Sequence, residues 1–141
     1  MIDSDTKSAQ PGEPPFQTGA LNGSGILMIG TLVIQSNEEP HKSIEVALSG
    51  TEGFILGRSD GKSKYTADID LSLFDALDKG VSRRHAALVY YENKLHLVDL
   101  SSVNGSHLNG QRLMSETPYL LNDGDHMTLG QLALVISHRE K

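Results

Sequence analysis

The 141-residue chain has no cysteine, which excludes disulfides, thiolate zinc sites and cysteine nucleophiles together. It also has no long apolar run: the most hydrophobic stretch, Ile26 to Ile34, is broken by Gly30 and is about half the roughly 18 residues that a membrane span needs. The opening residues Met1, Ile2, Asp3, Ser4 and Asp5 contain neither the basic start nor the apolar segment of an export signal. The expected location is therefore cytoplasmic. Positive charge is scarce as well. Twelve Lys and Arg stand against 18 Asp and Glu, a formal net charge of −6, so no sequence-independent grip on nucleic acid or on an anionic membrane is expected. Any anion bound by this chain has to be held by a local cluster.

Hydrophobic residues make up 38%, charged residues 21% and aromatics 5%, with 14 glycines and 5 prolines. At this length the numbers describe one turn-rich globular domain around a single core. Residues 1–25 carry Pro11, Pro14 and Pro15 among Ser, Gly, Gln and Thr without apolar periodicity, and read as a flexible N-terminal tail. The domain proper is expected over 26–138. There the chain is a succession of short β-type runs at 26–35, 43–48, 53–57, 67–71, 84–92, 94–100, 118–121, 126–129 and 131–137, with shorter pieces at 106–108 and 111–113. Turn-forming pairs join several of them: Glu92-Asn93, Asn109-Gly110, Asp123-Gly124 and Gly130-Gln131. Regular spacing of this kind predicts an all-β sandwich or barrel, and few connections are long enough for helical crossovers, so the sheets should be mainly antiparallel. Leu71, Phe74 and Leu77 recur every three residues, which predicts a short helical turn or an irregular loop over 71–79.

Several motifs imitate chemistry and fail on spacing. Gly57 to Ser63 resembles a nucleotide-binding phosphate loop, but only three residues separate its glycines and a β-type run follows where a helix is required. Asp68-Ile69-Asp70-Leu71-Ser72 begins like a calcium loop, yet Leu73 stands where glycine must turn and Lys79 where the bidentate glutamate belongs. Ser82, His85 and Asp99 have the residue types of a hydrolytic triad. An offset of three in an extended segment sends Ser82 and His85 to opposite faces, and the Gly-x-Ser-x-Gly elbow is missing. The histidines at 41, 85, 96, 107, 126 and 138 show no ligand spacing on one element and are expected to lie mostly at the surface. No metal, cofactor or catalytic residue is expected.

A set of polar residues bunched at strand ends remains. Gly57-Arg58 ends one run, Ser82-Arg83-Arg84-His85 opens another, and Ser101-Ser102-Val103-Asn104-Gly105-Ser106 links two more. In a sandwich such connections gather at the ends of the sheets. Arg58 and Arg83 supply fork-shaped cationic donors, Ser82 a hydroxyl, and the turn around Asn104 amide and backbone groups, an inventory suited to a dianionic phosphate.

In order along the chain, Gly57-Arg58, Ser82-Arg83-Arg84-His85, Asp99 to Ser106, Asn109-Gly110, Leu121-Asn122-Asp123-Gly124-Asp125 and Leu129-Gly130 closely resemble the forkhead-associated (FHA) domain. The resemblance spans about 26–137. It implies an FHA-type β-sandwich of about eleven strands, with binding loops at one end, that binds phosphothreonine peptides and performs no reaction. By position, Arg58 and Ser82 would contact the phosphate, Arg83 would add a second cation, and Asn104 would hold the peptide backbone. His85 would support the binding loops from inside, Gly57 and Gly105 would permit the turns, and Gly110, Asp123, Gly124 and Gly130 would be architectural. Thr is frequent in the family immediately before the turn asparagine, where this chain has Val103. Valine keeps the β-branched shape and loses a hydroxyl that would face the peptide. The implied partner is a phosphothreonine protein, with the chain serving as an adaptor or regulator that senses a Ser/Thr kinase or its substrates. The competing expectation is a sandwich that recognises its partner through a sheet face regardless of phosphorylation. Thr18, with Leu21 at its third following position, is a candidate site for the domain's own recognition, which would turn a monomer into a dimer.

Overall fold

The computed structural model describes residues 25–27, 29–38, 41–50 and 53–140; the tail and Thr18 lie outside the described residues. Eleven strands run through this part of the chain: β1 (Gly30–Ser36), β2 (Ser43–Leu48), β3 (Phe54–Gly57), β4 (Ile69–Asp70), β5 (Ala86–Tyr91), β6 (Lys94–Asp99), β7 (Ser106–Leu108), β8 (Gln111–Arg112), β9 (Tyr119–Leu120), β10 (His126–Leu129) and β11 (Leu132–Arg139). They form two sheets, in the orders β9-β6-β5-β3-β4 and β2-β1-β11-β10-β7-β8. Every pairing between named strands is antiparallel except β3 with β4, where Leu56 stands beside Ile69. No helix among the described residues is long and apolar enough to cross a membrane.

Period-two burial builds the sandwich interior. In β1, Leu32 and Ile34 are fully buried while Val33 between them is not, and Leu132, Leu134 and Ile136 repeat the alternation in β11. Leu56, Leu88 and Leu97 of the opposite sheet meet this face, so the two inner faces close one core. Two hairpins follow directly from their turn residues. Glu92 and Asn93 (φ 51° and 66°) join β5 to β6, and Asn109 and Gly110 (φ 50° and 85°) join β7 to β8; two successive left-handed residues match the twist of the paired strands.

The structure corrects three expectations. The run expected over 67–71 is a strand only at Ile69–Asp70, and Leu71–Phe74 continue as a single 3₁₀ turn. Asp70 caps that turn by accepting from the Ser72 backbone N–H at 3.1 Å, while Asp68 accepts from Ile55 N–H at 2.8 Å. The two carboxylates that imitate a calcium loop therefore hold backbone. The three-residue apolar recurrence ends early: Leu71 and Phe74 are buried, but Leu77 is 68% exposed and Ala76 takes the inward place. The strand expected from 84 starts at Ala86, because residues 82–85 form a bend instead of extended chain.

Register decides what lies at the end of the sandwich. Leu56 pairs with Ala86, and Ala86 with Asp99, so the segments after β3, before β5 and after β6 leave the sheet at one level. Across the sandwich, Leu129 pairs with Ser106, and Gly130 N–H donates to Gly105 O at 2.9 Å. Gln131 N–H reaches Lys79 O at 2.8 Å. Loops from both sheets thus meet in one surface.

Candidate functional site

Beneath that surface lie two buried polar hubs. His85 is wholly excluded from solvent. Its Nδ1 accepts the Ser82 backbone N–H at 2.9 Å, which leaves the ring proton on Nε2, where it donates to Gly105 O at 2.9 Å. One imidazole therefore ties the bend at 82–85 to the loop at 100–105. Burial pushes the His85 pKa below its usual 6.5, outweighing the hydrogen bond to Gly105 and the charge of Asp99 that act the other way. Asp99, also buried, receives the hydroxyls of Ser102 and Ser106, each at 2.6 Å, and of Ser115 at 3.1 Å. Burial alone would raise its pKa. The three hydroxyls, led by Ser102, together with the Ser102 N–H, prevail and hold it below the ordinary carboxylate value.

These bonds exclude a triad. Both nitrogens of His85 are committed to backbone, Asp99 is committed to serines, and Ser82 Oγ accepts the Val103 N–H at 3.3 Å. Ser102, which donates to Asp99 and accepts from Gly105 N–H at 3.0 Å, is likewise turned into the loop and offers no substitute for the hydroxyl missing at Val103. No group of three or more His, Asp or Glu among the described residues is placed to hold a metal ion. His96 joins His85 as a second buried histidine.

Above the hubs a cleft of about 650 Å³ opens, lined by Arg58, Ser63, Tyr65, Ser82, Arg83, Arg84, Ser101, Ser102 and Val103. Three of these nine are arginines and none is a carboxylate, in a chain of net charge −6. Arg58 is oriented by its Nε, which donates to Val81 O at 2.7 Å. Arg83 reaches Asp60 at 3.4 Å on the cleft's edge, and the Asp60 carboxyl is lowered chiefly by the Lys62 backbone N–H. Val103 is 86% exposed, so it does not pack against the core.

Asn104 stands apart from this cleft. It lies in a neighbouring groove with Asp78, Lys79, Gly80, Gly130 and Gln131, and its Nδ2 donates to Gly80 O at 2.9 Å. Gly57 also plays a different part from the one expected of a turn residue. It is not among the positive-φ residues; instead a Cβ there would overlap the Arg83 carbonyl oxygen, so close approach of β3 to the Arg83 backbone is what demands glycine. Gly105 does need the left-handed conformation, at φ 85°.

The sequence model of one family, the FHA domain, matches residues 54–130, more than half of the chain. This chain belongs to the FHA domain family. Solved structures agree on the fold. The N-terminal FHA domain of Saccharomyces cerevisiae Rad53p, solved in complex with a phosphothreonine peptide, is 21% identical, with a TM-score of 0.62 over 77% of this chain and 94% of that one. The FHA domain of the Chlamydia trachomatis CT664 protein is 24% identical, with a TM-score of 0.60 over 78% of this chain and 99% of that one. The FHA domain of FhaA, complexed with the intracellular domain of Rv3910, is 25% identical, with a TM-score of 0.55 over 74% of this chain and 98% of that one. No curated protein sequence matches significantly.

Within this FHA domain, the cleft joins Arg58, Ser82, Arg83 and Val103, and leaves Asn104 in the groove beside it. It also recruits Ser63, Tyr65, Arg84, Ser101 and Ser102, to which the sequence assigned no ligand contact. Arg84 adjoins Arg83 and had a visible signal in its charge. Tyr65 had none: it lies in a polar stretch after Gly61-Lys62-Ser63-Lys64, and only the bridge between Asp60 and Tyr65 returns it to the cleft wall.

Proposed function

We propose that this FHA domain is a phosphothreonine-peptide binding module that reads the product of a Ser/Thr kinase, as an adaptor or regulator and not as an enzyme. The observation that carries the reading is the cleft with three arginines, four serines and no carboxylate on an otherwise acidic chain. A phosphate of about −1.5 to −2 charges is a ligand for such a site, and the unmodified threonine is not. Arg58 and Ser82 contact the phosphate and Arg83 adds a second cation. Val103 lines the peptide's path, and Asn104 holds the peptide backbone from the adjoining groove. The Rad53p domain, of the same fold, was solved with a ligand of this class.

A ligand that binds only the native state raises its melting temperature, by about 2.7 kcal/mol of added stability at a hundredfold excess over Kd. Thermal shift with phosphothreonine peptides should therefore show a rise of several degrees, and their unphosphorylated twins none. Equal shifts with both would establish recognition independent of phosphorylation.

Val103 supplies a gain-of-affinity test. Val103→Thr is nearly isosteric at an exposed position, and one neutral hydrogen bond contributes about 0.5–1.5 kcal/mol. The variant should bind the phosphopeptide about two- to tenfold more tightly and melt where the parent does. Unchanged affinity by calorimetry would mean that the peptide passes this side chain without reaching it.

A further inference from the structure

Arg84 lines the cleft and is exposed, so its side chain borders the space that a ligand enters. The other two cleft arginines each have a protein partner: Arg58 donates to Val81 O at 2.7 Å, and Arg83 reaches Asp60 at 3.4 Å. Arg84 makes no hydrogen bond or ion pair with any of the described residues. Its backbone is nonetheless fixed. His85 N–H donates to Leu56 O, and His85 O accepts from Leu100 N–H, both at 3.0 Å, so the chain at 84 leaves the sheet between the ends of β3 and β6. The charge gathered here exceeds what one phosphate needs. Segments 58–65 and 82–84 contain five cations, Arg58, Lys62, Lys64, Arg83 and Arg84, against the single carboxylate of Asp60, on a chain of net charge −6. A phosphate carries about −1.5 to −2 charges, and part of that excess stays unmatched. A concave surface lined by one sign of charge concentrates the opposite sign, and the cleft, at about 650 Å³, is large enough for more of a peptide than one phosphate group.

We propose that Arg84 is a specificity residue that pairs with a second anionic side chain, a carboxylate or another phosphate, within two residues of the phosphothreonine; this rests on the phosphopeptide reading above. Successive residues of an extended peptide are about 3.3–3.6 Å apart, so such a neighbour stays close to an arginine one position along the chain from Arg83. Arg58 and Arg83 serve the phosphate, and Arg84 selects by what lies beside it.

The test is calorimetry with three phosphothreonine peptides that differ only at the two residues on each side: glutamine there, glutamate there, or one phosphoserine among glutamines. The parent should bind the glutamate peptide about fivefold more tightly than the glutamine peptide, the upper end for an exposed ion pair, and salt should shrink the difference. Arg84→Gln should bring that ratio close to one, whereas Arg83→Gln should weaken binding of both peptides and keep the ratio. An Arg84-dependent gain with phosphoserine and none with glutamate would identify the second anion as a phosphate. Equal affinity of the parent for all three peptides overturns the role of Arg84 and leaves the phosphopeptide reading standing. So does a ratio that survives in Arg84→Gln, or one lost equally in Arg83→Gln, since the selection would then belong to the field of the whole cleft. If the parent binds none of the three, the underlying reading falls, and the role of Arg84 falls with it.

Discussion

Arg58→Ala should abolish most measurable phosphopeptide affinity, a loss of about 2–5 kcal/mol for truncating one partner of a desolvated charge pair, or roughly thirtyfold to several thousandfold in Kd. Arg58 is the cleft cation with its orientation already set, because Nε donates to Val81 O and leaves the outer guanidinium nitrogens to face a ligand. Arg83, by contrast, shares its charge with Asp60 on the rim, and an exposed pair of that kind contributes little. Arg58→Lys should fall between alanine and the parent, since a lysine lacks both the fork and the Nε bond that aims it. Neither substitution touches the core, so melting temperature without ligand should hold within a few degrees. Calorimetry that finds parental affinity in Arg58→Ala would sink the phosphate site as assigned.

His85→Ala should have the largest effect on stability among the residues of this region. The side chain is fully buried and bonds the Ser82 N–H and the Gly105 carbonyl at once. Its removal leaves a cavity and an unsatisfied N–H, together about 2–4 kcal/mol, which for a domain of this size lowers the melting temperature by roughly 10–20 °C. Binding should weaken only as far as the loops carrying Ser82 and Val103 lose order. A His85→Ala protein that melts like the parent yet binds nothing would put the imidazole in contact with ligand instead. The same ring makes stability depend on pH. Its folded pKa lies below the unfolded value of 6.5, so the unfolded chain takes up the proton first. The stabilisation is complete above about pH 6.5 and is lost as pH falls toward the depressed folded value, where protonated Nδ1 would oppose the Ser82 N–H. His96 is shifted in the same direction by burial. The contribution of His85 is therefore the part of the acid sensitivity below about pH 6.5 that disappears in His85→Ala.

Much of the architecture is legible in local chemistry. The pairs Glu92-Asn93 and Asn109-Gly110 announce two-residue hairpins because those residue types tolerate the left-handed backbone that such turns require, and both pairs adopt it. The apolar runs Leu32-Val33-Ile34 in β1 and Leu132 to Ile136 in β11 announce strands, but both are continuous, so which of their residues face the core is decided by the fold. Boundaries were less legible. Ile69–Asp70 is a two-residue strand because Asp70 turns to cap the next segment, and the bend at 82–85 is held by a hydrogen bond from the Ser82 backbone N–H to the His85 ring, a contact about which side-chain alternation says nothing. Leu77 fits an apolar repeat and is exposed, since a turn containing left-handed Asp75 breaks the period before reaching it.

The sequence by itself determined that the chain is a turn-rich β domain with no cysteine chemistry, and that its strand ends carry Arg58, Ser82, Arg83 and Asn104 in the order of the FHA pattern. These are properties of residue type and of spacing over a few positions. Only the tertiary structure decided which of these residues share a cleft. Arg58, Tyr65, Ser82 and Val103 come together because β3 pairs with β5 and β5 with β6 in a register that puts Leu56, Ala86 and Asp99 at one level. Asn104 goes to the adjoining groove because its amide is held by Gly80 O. Cross-strand register and loop packing depend on contacts between distant parts of the chain, so local periodicity carries no record of them.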